Sequence, residues 1–232
     1  MLSPEQLEKE LLGMVAEGGL GRNPVFSKIA NGEFSKEDLA FFTKQFLLRQ
    51  RHFTRWLTCI YANTPNEAYD ARQLIAENLY EEHGDFRPGR DHTSLLRKFG
   101  RALGLKDKEM EEAIPLPEPQ AFIDRIYHIC RGSFVEGMAA IGIGHEGHAL
   151  VRRPETLGVD RFARALQERY DLSEDAVEFW SLHAKADVDH CRRALEIVKK
   201  YAATEELQER ARVAVEQTLR QWRFFFDGIL GT

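Results

Sequence analysis

Cysteine is scarce in this chain: Cys59, Cys130 and Cys191 lie far apart, and no Cys-x-x-Cys pair occurs. That pattern argues against a disulfide framework or a thiolate metal site, and buried, reduced thiols are expected. A basic excess is also lacking. The 32 Lys and Arg stand against 37 Asp and Glu, for a formal net charge of -5, so neither nucleic acid nor an anionic membrane is expected as a partner. No apolar run approaches the roughly 20 residues that span a bilayer. The start, Met1-Leu2-Ser3-Pro4, has neither the basic nor the apolar region of a signal peptide, and a cytoplasmic protein is the expectation. Sustained strand alternation, internal repeats and low-complexity tracts are missing as well.

What remains is helical. The 232 residues, 43% hydrophobic and 30% charged, suffice to bury a substantial core. Helix starts are legible: Ser3-Pro4 with Gln6, and Thr64-Pro65 with Glu67, read as N-cap, first-turn proline and capping-box partner. Ser35, Asp91, Ser173 and Thr204 are further candidate N-caps. Apolar residues recur with helical period, which predicts helices at about 3–15, 36–62, 66–82, 92–104, 119–148, 157–169, 174–200 and 205–229. Turn-rich connections fall at Gly18-Gly19 with Gly21, at Gly84 to Gly89, and at Pro115 to Pro119. The last could link two domains, but the helices on both sides need partners for their apolar faces. One all-α domain over residues 1–232 is the expectation.

Chemistry-bearing residues sit on helix faces. His183, Asp187 and His190 follow the spacing i, i+4, i+7 and point within about 60° of one another on a helix, so two imidazoles and a carboxylate share one side. Those ligand types suit iron, manganese or zinc; a solvated polar stripe is the plain alternative. Asp189 lies well off that direction. In 66–82, Ala68, Ile75 and Leu79 define an apolar face that Glu82 continues, whereas Glu81 points toward solvent. An inward Glu needs a partner, and His92 opens the next helix. In 119–148 both Glu136 and Glu146 are candidate buried carboxylates. A straight wheel favours Glu136, but Gly142, Gly144 and Gly147 predict a bend before Glu146, and periodicity leaves the pair open. Three carboxylates and three neutral imidazoles nearly offset two Fe(II) ions, which points to a dinuclear iron or manganese site and not to a closed zinc site.

Glu77-Asn78-Leu79-Tyr80-Glu81-Glu82 followed by His92, the stretch Leu95 to Gly104 behind it, His183-x3-Asp187-x2-His190, and Asn31 to Leu39 leading into the second helix together resemble the heme-oxygenase-like diiron oxidases and oxygenases. These belong to the superfamily that includes thiaminase II and pyrroloquinoline-quinone synthase. The resemblance covers most of the chain and implies a heme-oxygenase-like bundle of about seven or eight helices. As metal ligands it implies Glu82, His92, Glu146, His183, Asp187 and His190, with Glu146 preferred to Glu136 because the family's central Glu ends a Gly/Ala-rich stretch. The implied cofactors are two Fe, with Mn/Fe as the alternative pair, and O2 as co-substrate; heme is not expected. By similarity, the stretch 84–91 makes the Glu82/His92 half of the site labile toward metal loss.

The chain departs from its resembled relatives in places. The run from Glu146 to Pro154 is longer than is usual in the family. The para-aminobenzoate synthase branch consumes a tyrosine near the position of Phe26 and a lysine shortly after the central Glu. Here residue 26 is Phe and no Lys lies between Glu146 and Lys185, so that reaction is not expected. Thiaminase II needs a Cys on the central helix, where only Cys130 stands, ahead of the usual place.

The expected function is O2-dependent oxidation of an amino-acid- or fatty-acid-like small molecule by N-oxygenation, C–C cleavage or decarboxylation. Phe42, Phe46, Phe53 and Trp56 are candidate substrate walls, and Arg49 on the same face is a candidate carboxylate partner; core packing is the plain alternative for each. A homodimer and an external reductant are further expectations. Two other readings stand beside this one: a metal-independent enzyme acting on an aromatic heterocycle, and a non-enzymatic binding or adaptor protein on the same scaffold.

Overall fold

The computed structural model describes residues 1–18, 23–151 and 159–231, and these form helices with no strand among them. In chain order the α-helices are α1 (Pro4–Gly18), α2 (Pro24–Ala30), α3 (Lys36–Gln50), α4 (Phe53–Asn63), α5 (Tyr69–Glu82), α6 (His92–Ala102), α7 (Asp107–Glu111), α8 (Pro117–Cys130), α9 (Phe134–Met138), α10 (Val159–Tyr170), α11 (Glu178–Tyr201) and α12 (Glu205–Leu230). A π-helical stretch, Ala139–His145, continues α9. The expected Gly19 and Gly21 turn, the start of the helix placed at 157, and Pro154 lie outside the described residues.

Several helix starts use the caps read from sequence. The Ser3 N–H donates to Gln6 Oε1 at 2.8 Å and the Gln6 N–H to Ser3 Oγ at 3.3 Å. Ser35 and Asp38 form a reciprocal capping box. Asp91 accepts the Ser94 N–H at 2.8 Å, and Thr204 accepts the Leu207 N–H at 3.1 Å. Each such cap is worth about 1 kcal/mol.

Other expectations are corrected. Thr64 caps no helix start; it ends α4, its hydroxyl donates to Ile60 O at 2.8 Å, and α5 begins only at Tyr69. Ser173 accepts the Ala176 N–H in a turn ahead of α11. The helix expected at 36–62 divides at Arg51 and His52, where neither Pro nor Gly stands. There the Arg51 guanidinium donates to Met110 O at 2.7 Å, and His52 Nδ1 lies 3.0 Å from the Tyr127 hydroxyl. The helix expected at 119–148 divides at Gly132, because Ser133 and Glu136 form a capping box that opens α9. Short α2 and α7 were not foreseen, and the helical segments exceed the seven or eight expected.

One hydrophobic cluster runs through the described residues. Trp56, Trp222, Phe42, Phe99, Phe122, Phe179, Phe225 and Phe226 are fully buried, and each contributes about 2–3 kcal/mol by leaving water. The π stretch lies inside this cluster between α11 and α12, all seven of its residues buried. Glycine permits that position: a Cβ on Gly142 would meet Ala194 Cβ at 2.2 Å, and one on Gly144 would meet Thr218 Cβ at 2.9 Å. The Glu146 N–H donates to Ile141 O at 3.3 Å, five residues back. That wider turn aims Glu146 away from the direction a straight α-helix would give it. No described helix is long and apolar enough to cross a membrane.

Candidate metal centre

Four segments deliver the expected ligands to one buried region. Glu82 closes α5, His92 opens α6 behind its Asp91 cap, Glu146 follows the π stretch, and α11 supplies His183, Asp187 and His190. Between the first two, Gly84, Asp85 and Phe86 take φ of 64°, 55° and 57°, left-handed values that turn the chain sharply enough for α6 to begin beside the end of α5.

The side chains converge. Ligand atoms of Glu82, His92 and His183 lie within 4.8 Å of one another, and so do those of Glu82, Glu146 and His190. Glu82 belongs to both groups. Its Oε1 stands 2.9 Å from His92 Nδ1 and 4.0 Å from His190 Nδ1, while Glu146 Oε1 stands 3.0 Å from His190 Nδ1. The His92 and His183 rings are 4.5 Å apart. Asp187 falls in neither group, although it is buried on the same side of α11 and lines the same cavity.

The donors fit a metal pair on two grounds. Glu82 Oε1 and His92 Nδ1 are close, yet neither has a hydrogen-bond partner, and Asp187 Oδ1 has none either. Atoms 2.9 Å apart that make no well-directed hydrogen bond are both left free to ligate one ion. The second ground is electrostatic. Burial raises the carboxyls of Glu146 and Asp187, Asp187 strongly, and they and Glu82 repel one another further. Burial pushes Glu82 the same way, but the His92, His183 and His190 imidazoles together outweigh it and hold Glu82 at about 2. Three crowded carboxylates relieved by cations satisfy the usual condition for burying such a set.

Neighbouring groups orient the imidazoles. His183 Nδ1 lies 2.7 Å from Phe179 O, which fixes the proton there and leaves Nε2 for a ligand bond; desolvation and the His92 imidazole hold its pKa down at about 3. His190 Nε2 meets Glu81 Oε2 at 2.9 Å, leaving Nδ1 toward Glu82 and Glu146. Glu81 therefore does not point to solvent as its wheel position suggested. It is only partly exposed, and Arg193 grips it through contacts of 2.9 and 2.7 Å. Burial opposes its ionisation, but His190 and Arg193 bring its pKa to about 2. Carboxylate–histidine pairs of this kind commonly set ligand tautomer and direction. Glu81 is adjacent to Glu82, so helical phase separates the two, and only the approach of α11 shows its role.

Glu136 is not brought to this cluster. Its carboxylate accepts the Ser133 N–H at 3.0 Å and pairs with Arg210 at 2.6 Å. The signal that places it was present in Ser133-x-x-Glu136, a capping-box spacing. Asp189 is exposed and pairs with Arg192 at 3.3 Å.

A cavity of about 70 Å³ adjoins the ligands. Phe46, Arg49 and Phe53 of the expected substrate residues line it. So do Phe26, Gln50, His145, His148, Phe162, Phe179, Trp180 and Trp222, none of which was singled out as lining a substrate site. Phe42 and Trp56 do not line it: they are fully buried behind it, Phe42 stacked on Phe46 at 5.5 Å and Trp56 edge-on to Phe53 at 6.1 Å. His148 Nε2 stands 3.6 Å from Asp187 Oδ2. Cys130 lies outside this lining, buried in α8 with its thiol pushed up by desolvation.

This architecture is the heme-oxygenase-like fold. A TenA homologue from Pseudomonas syringae pv. tomato superposes with a TM-score of 0.79 at 14% identity, covering 100% of this chain and 96% of that one. A CADD-like protein of unknown function from Nostoc punctiforme gives 0.78 at 14% identity, over 98% and 97% of the two chains. Residues 40–223 match the family of iron-containing redox enzymes; the chain belongs to that family and is an oxidoreductase. It is 25% identical to a 4-aminobenzoate synthase of Nitrosomonas europaea over 98% of this chain and 92% of that protein, and 25% identical to one of Chlamydia muridarum over 76% and 71%.

Proposed function

We propose that this enzyme is a non-heme diiron oxidase or oxygenase that uses O2 to oxidise a small molecule held in the cavity beside Glu82, Glu146 and Asp187. The observation that carries the reading is the pair of three-ligand groups sharing Glu82, since a carboxylate common to two groups suits a bridged pair of ions and oversupplies a single one. The residues that would hold the pair are Glu82, His92, Glu146, His183, Asp187 and His190. When bound, two Fe(II) ions would supply the electrons for O2 reduction, with Mn/Fe as the alternative pair, and an external reductant would be needed for further turnovers.

The chain's own residues prepare that chemistry. Phe179 O and Glu81 hold protons on His183 Nδ1 and His190 Nε2, so that the opposite nitrogens are free to ligate. Gln50 Nε2 donates to Glu82 Oε2 at 3.3 Å, steadying the shared carboxylate. Phe46, Phe53, Phe162, Phe179, Trp180 and Trp222 exclude bulk water and leave an apolar space against the ligands.

Two features separate this reading from its neighbours. By resemblance, the para-aminobenzoate branch gives up a tyrosine of its own; here Phe26 occupies the cavity wall and no Tyr lines the cavity among the described residues, which favours a free substrate. A thiaminase-like reaction lacks its nucleophile, because Cys130 does not reach the cavity. The test is anaerobic loading followed by O2. Two equivalents of Fe(II) should bind, and O2 should raise a transient visible absorbance that His183→Ala abolishes; two equivalents that neither bind nor accelerate O2 consumption would sink the reading.

A further inference from the structure

Arg49 is 3% exposed, and its guanidinium makes no hydrogen bond or ion pair with any described residue; Nε is an orphaned donor. Rings surround it instead, at 4.4 Å for Phe46, 5.3 Å for Trp222 and 5.7 Å for Phe53. Burial pushes the guanidinium pKa down to about 10, and Glu82, Asp187 and Glu146 oppose this only through space, without a contact to any of its nitrogens. A buried cation with no anion in contact is costly, and faces of aromatic rings offset only part of the cost. Yet Arg49 lines the cavity, where a ligand would complete it.

The charge of the loaded cavity makes the same point. Among the described lining residues the acids are Glu82, Glu146 and Asp187, all assigned above to metal, and Arg49 is the sole Arg or Lys. Three carboxylates leave one positive charge over against two divalent ions, and Arg49 adds a second. An ammonium group would enter a cavity of its own sign and find no carboxylate free to receive it. The other lining atoms without a partner that can accept, Gln50 Oε1 and Nδ1 of His145, whose cationic form burial disfavours, are neutral; they suit an uncharged N–H or O–H and are too weak to compensate a desolvated ammonium.

Resting on the dinuclear metal reading, we propose that the substrate is a small carboxylate without a charged amine. Its acid group pairs bidentately with Arg49, and its uncharged body lies against Phe26, Phe46 and Trp222. This separates the two substrate classes left open by the sequence, favouring the fatty-acid-like class over the zwitterionic amino acid.

Butanoate, butanamide and 2-aminobutanoate share a four-carbon frame and differ in the charges they carry. Calorimetric titration of each into the full chain, metal-free and after loading with Mn(II), reads binding without turnover. Butanoate should bind the loaded protein at least about tenfold more tightly than the amide, the amino acid, or butanoate to metal-free protein. Arg49→Gln should remove the preference for butanoate over butanamide, and Arg49→Lys should keep part of it. Binding of 2-aminobutanoate as tight as that of butanoate overturns the proposal on the native chain alone, whatever the folding of the variants. A butanoate preference that survives Arg49→Gln overturns it equally. Both results leave the metal reading standing. Failure to take up two equivalents of Mn(II) overturns the metal reading and this proposal together, and it appears before any organic ligand is added.

Discussion

Glu81 and Glu82 adjoin in sequence and serve different atoms: Glu82 joins both ligand groups, and Glu81 holds the far nitrogen of His190. Glu81→Ala should therefore weaken metal binding by about 10–100-fold with the ligands themselves untouched, with Glu81→Gln between the two, as read by competitive metal titration. The Glu81 carboxylate also has a pH signature. Its pKa of about 2 in the folded chain lies below the ordinary value of about 4.3, so its contribution to stability is complete above that value and is lost as pH falls toward 2. Thermal melts of metal-free protein between those limits should fall less steeply for Glu81→Gln. Glu136 and Glu146 form the complementary pair. Glu136→Ala removes a cap and an Arg210 contact and should cost about 1 kcal/mol while sparing metal uptake, whereas Glu146→Ala should abolish one metal equivalent; the reverse outcome in metal titration would exchange the two roles.

The π stretch Ala139–His145 fixes where Glu146 points, and it can do so only because α11 and α12 press against glycine. Gly142→Ala drives a methyl group onto Ala194, and overpacking of this kind costs about 1–3 kcal/mol. Metal affinity should fall with it, since relieving the clash shifts α11, which carries His190 and Asp187. Gly13 in α1 is the control: a Cβ there meets nothing within 4 Å, so Gly13→Ala should stabilise by about 0.5–1 kcal/mol. Differential scanning calorimetry of the two variants separates a glycine needed for close approach from one that is not. The divisions of α3 from α4 and of α8 from α9 have different origins. Ser133 with Glu136 announces the second in the local chain, whereas the first depends on Met110 and Tyr127, which are remote in sequence.

Over the molecule as a whole, metal binding is coupled to protons. Burial and neighbouring carboxylates raise Asp187 strongly and Glu146 as well. His190, disfavoured as a cation by burial, is raised more by Glu146, Glu81 and Glu82. Groups with raised values keep their protons to higher pH than the free side chains do, and they ligate only in the deprotonated form. Uptake of the metal pair should thus release protons, and affinity should increase with pH. Titration calorimetry in buffers of different ionisation enthalpy measures both; uptake with no net proton release would contradict the coupling.

The chain's helical class, its capped starts at Ser3, Ser35, Asp91 and Thr204, and the shared face of His183, Asp187 and His190 follow from local period and hydrogen-bond chemistry, which nearest neighbours along the sequence dictate. Glu82 was legible because one apolar face carried it inward. Tertiary structure alone decided which way the glycine bend aims Glu146, the part of Glu81, the retreat of Phe42 and Trp56 into the core, and the assembly of Phe26, Phe162, Trp180 and Trp222 around the cavity that Arg49 lines. Each of these depends on which helix packs beside which, and that choice is made by burial of whole faces among segments far apart in the chain, a quantity no local window contains.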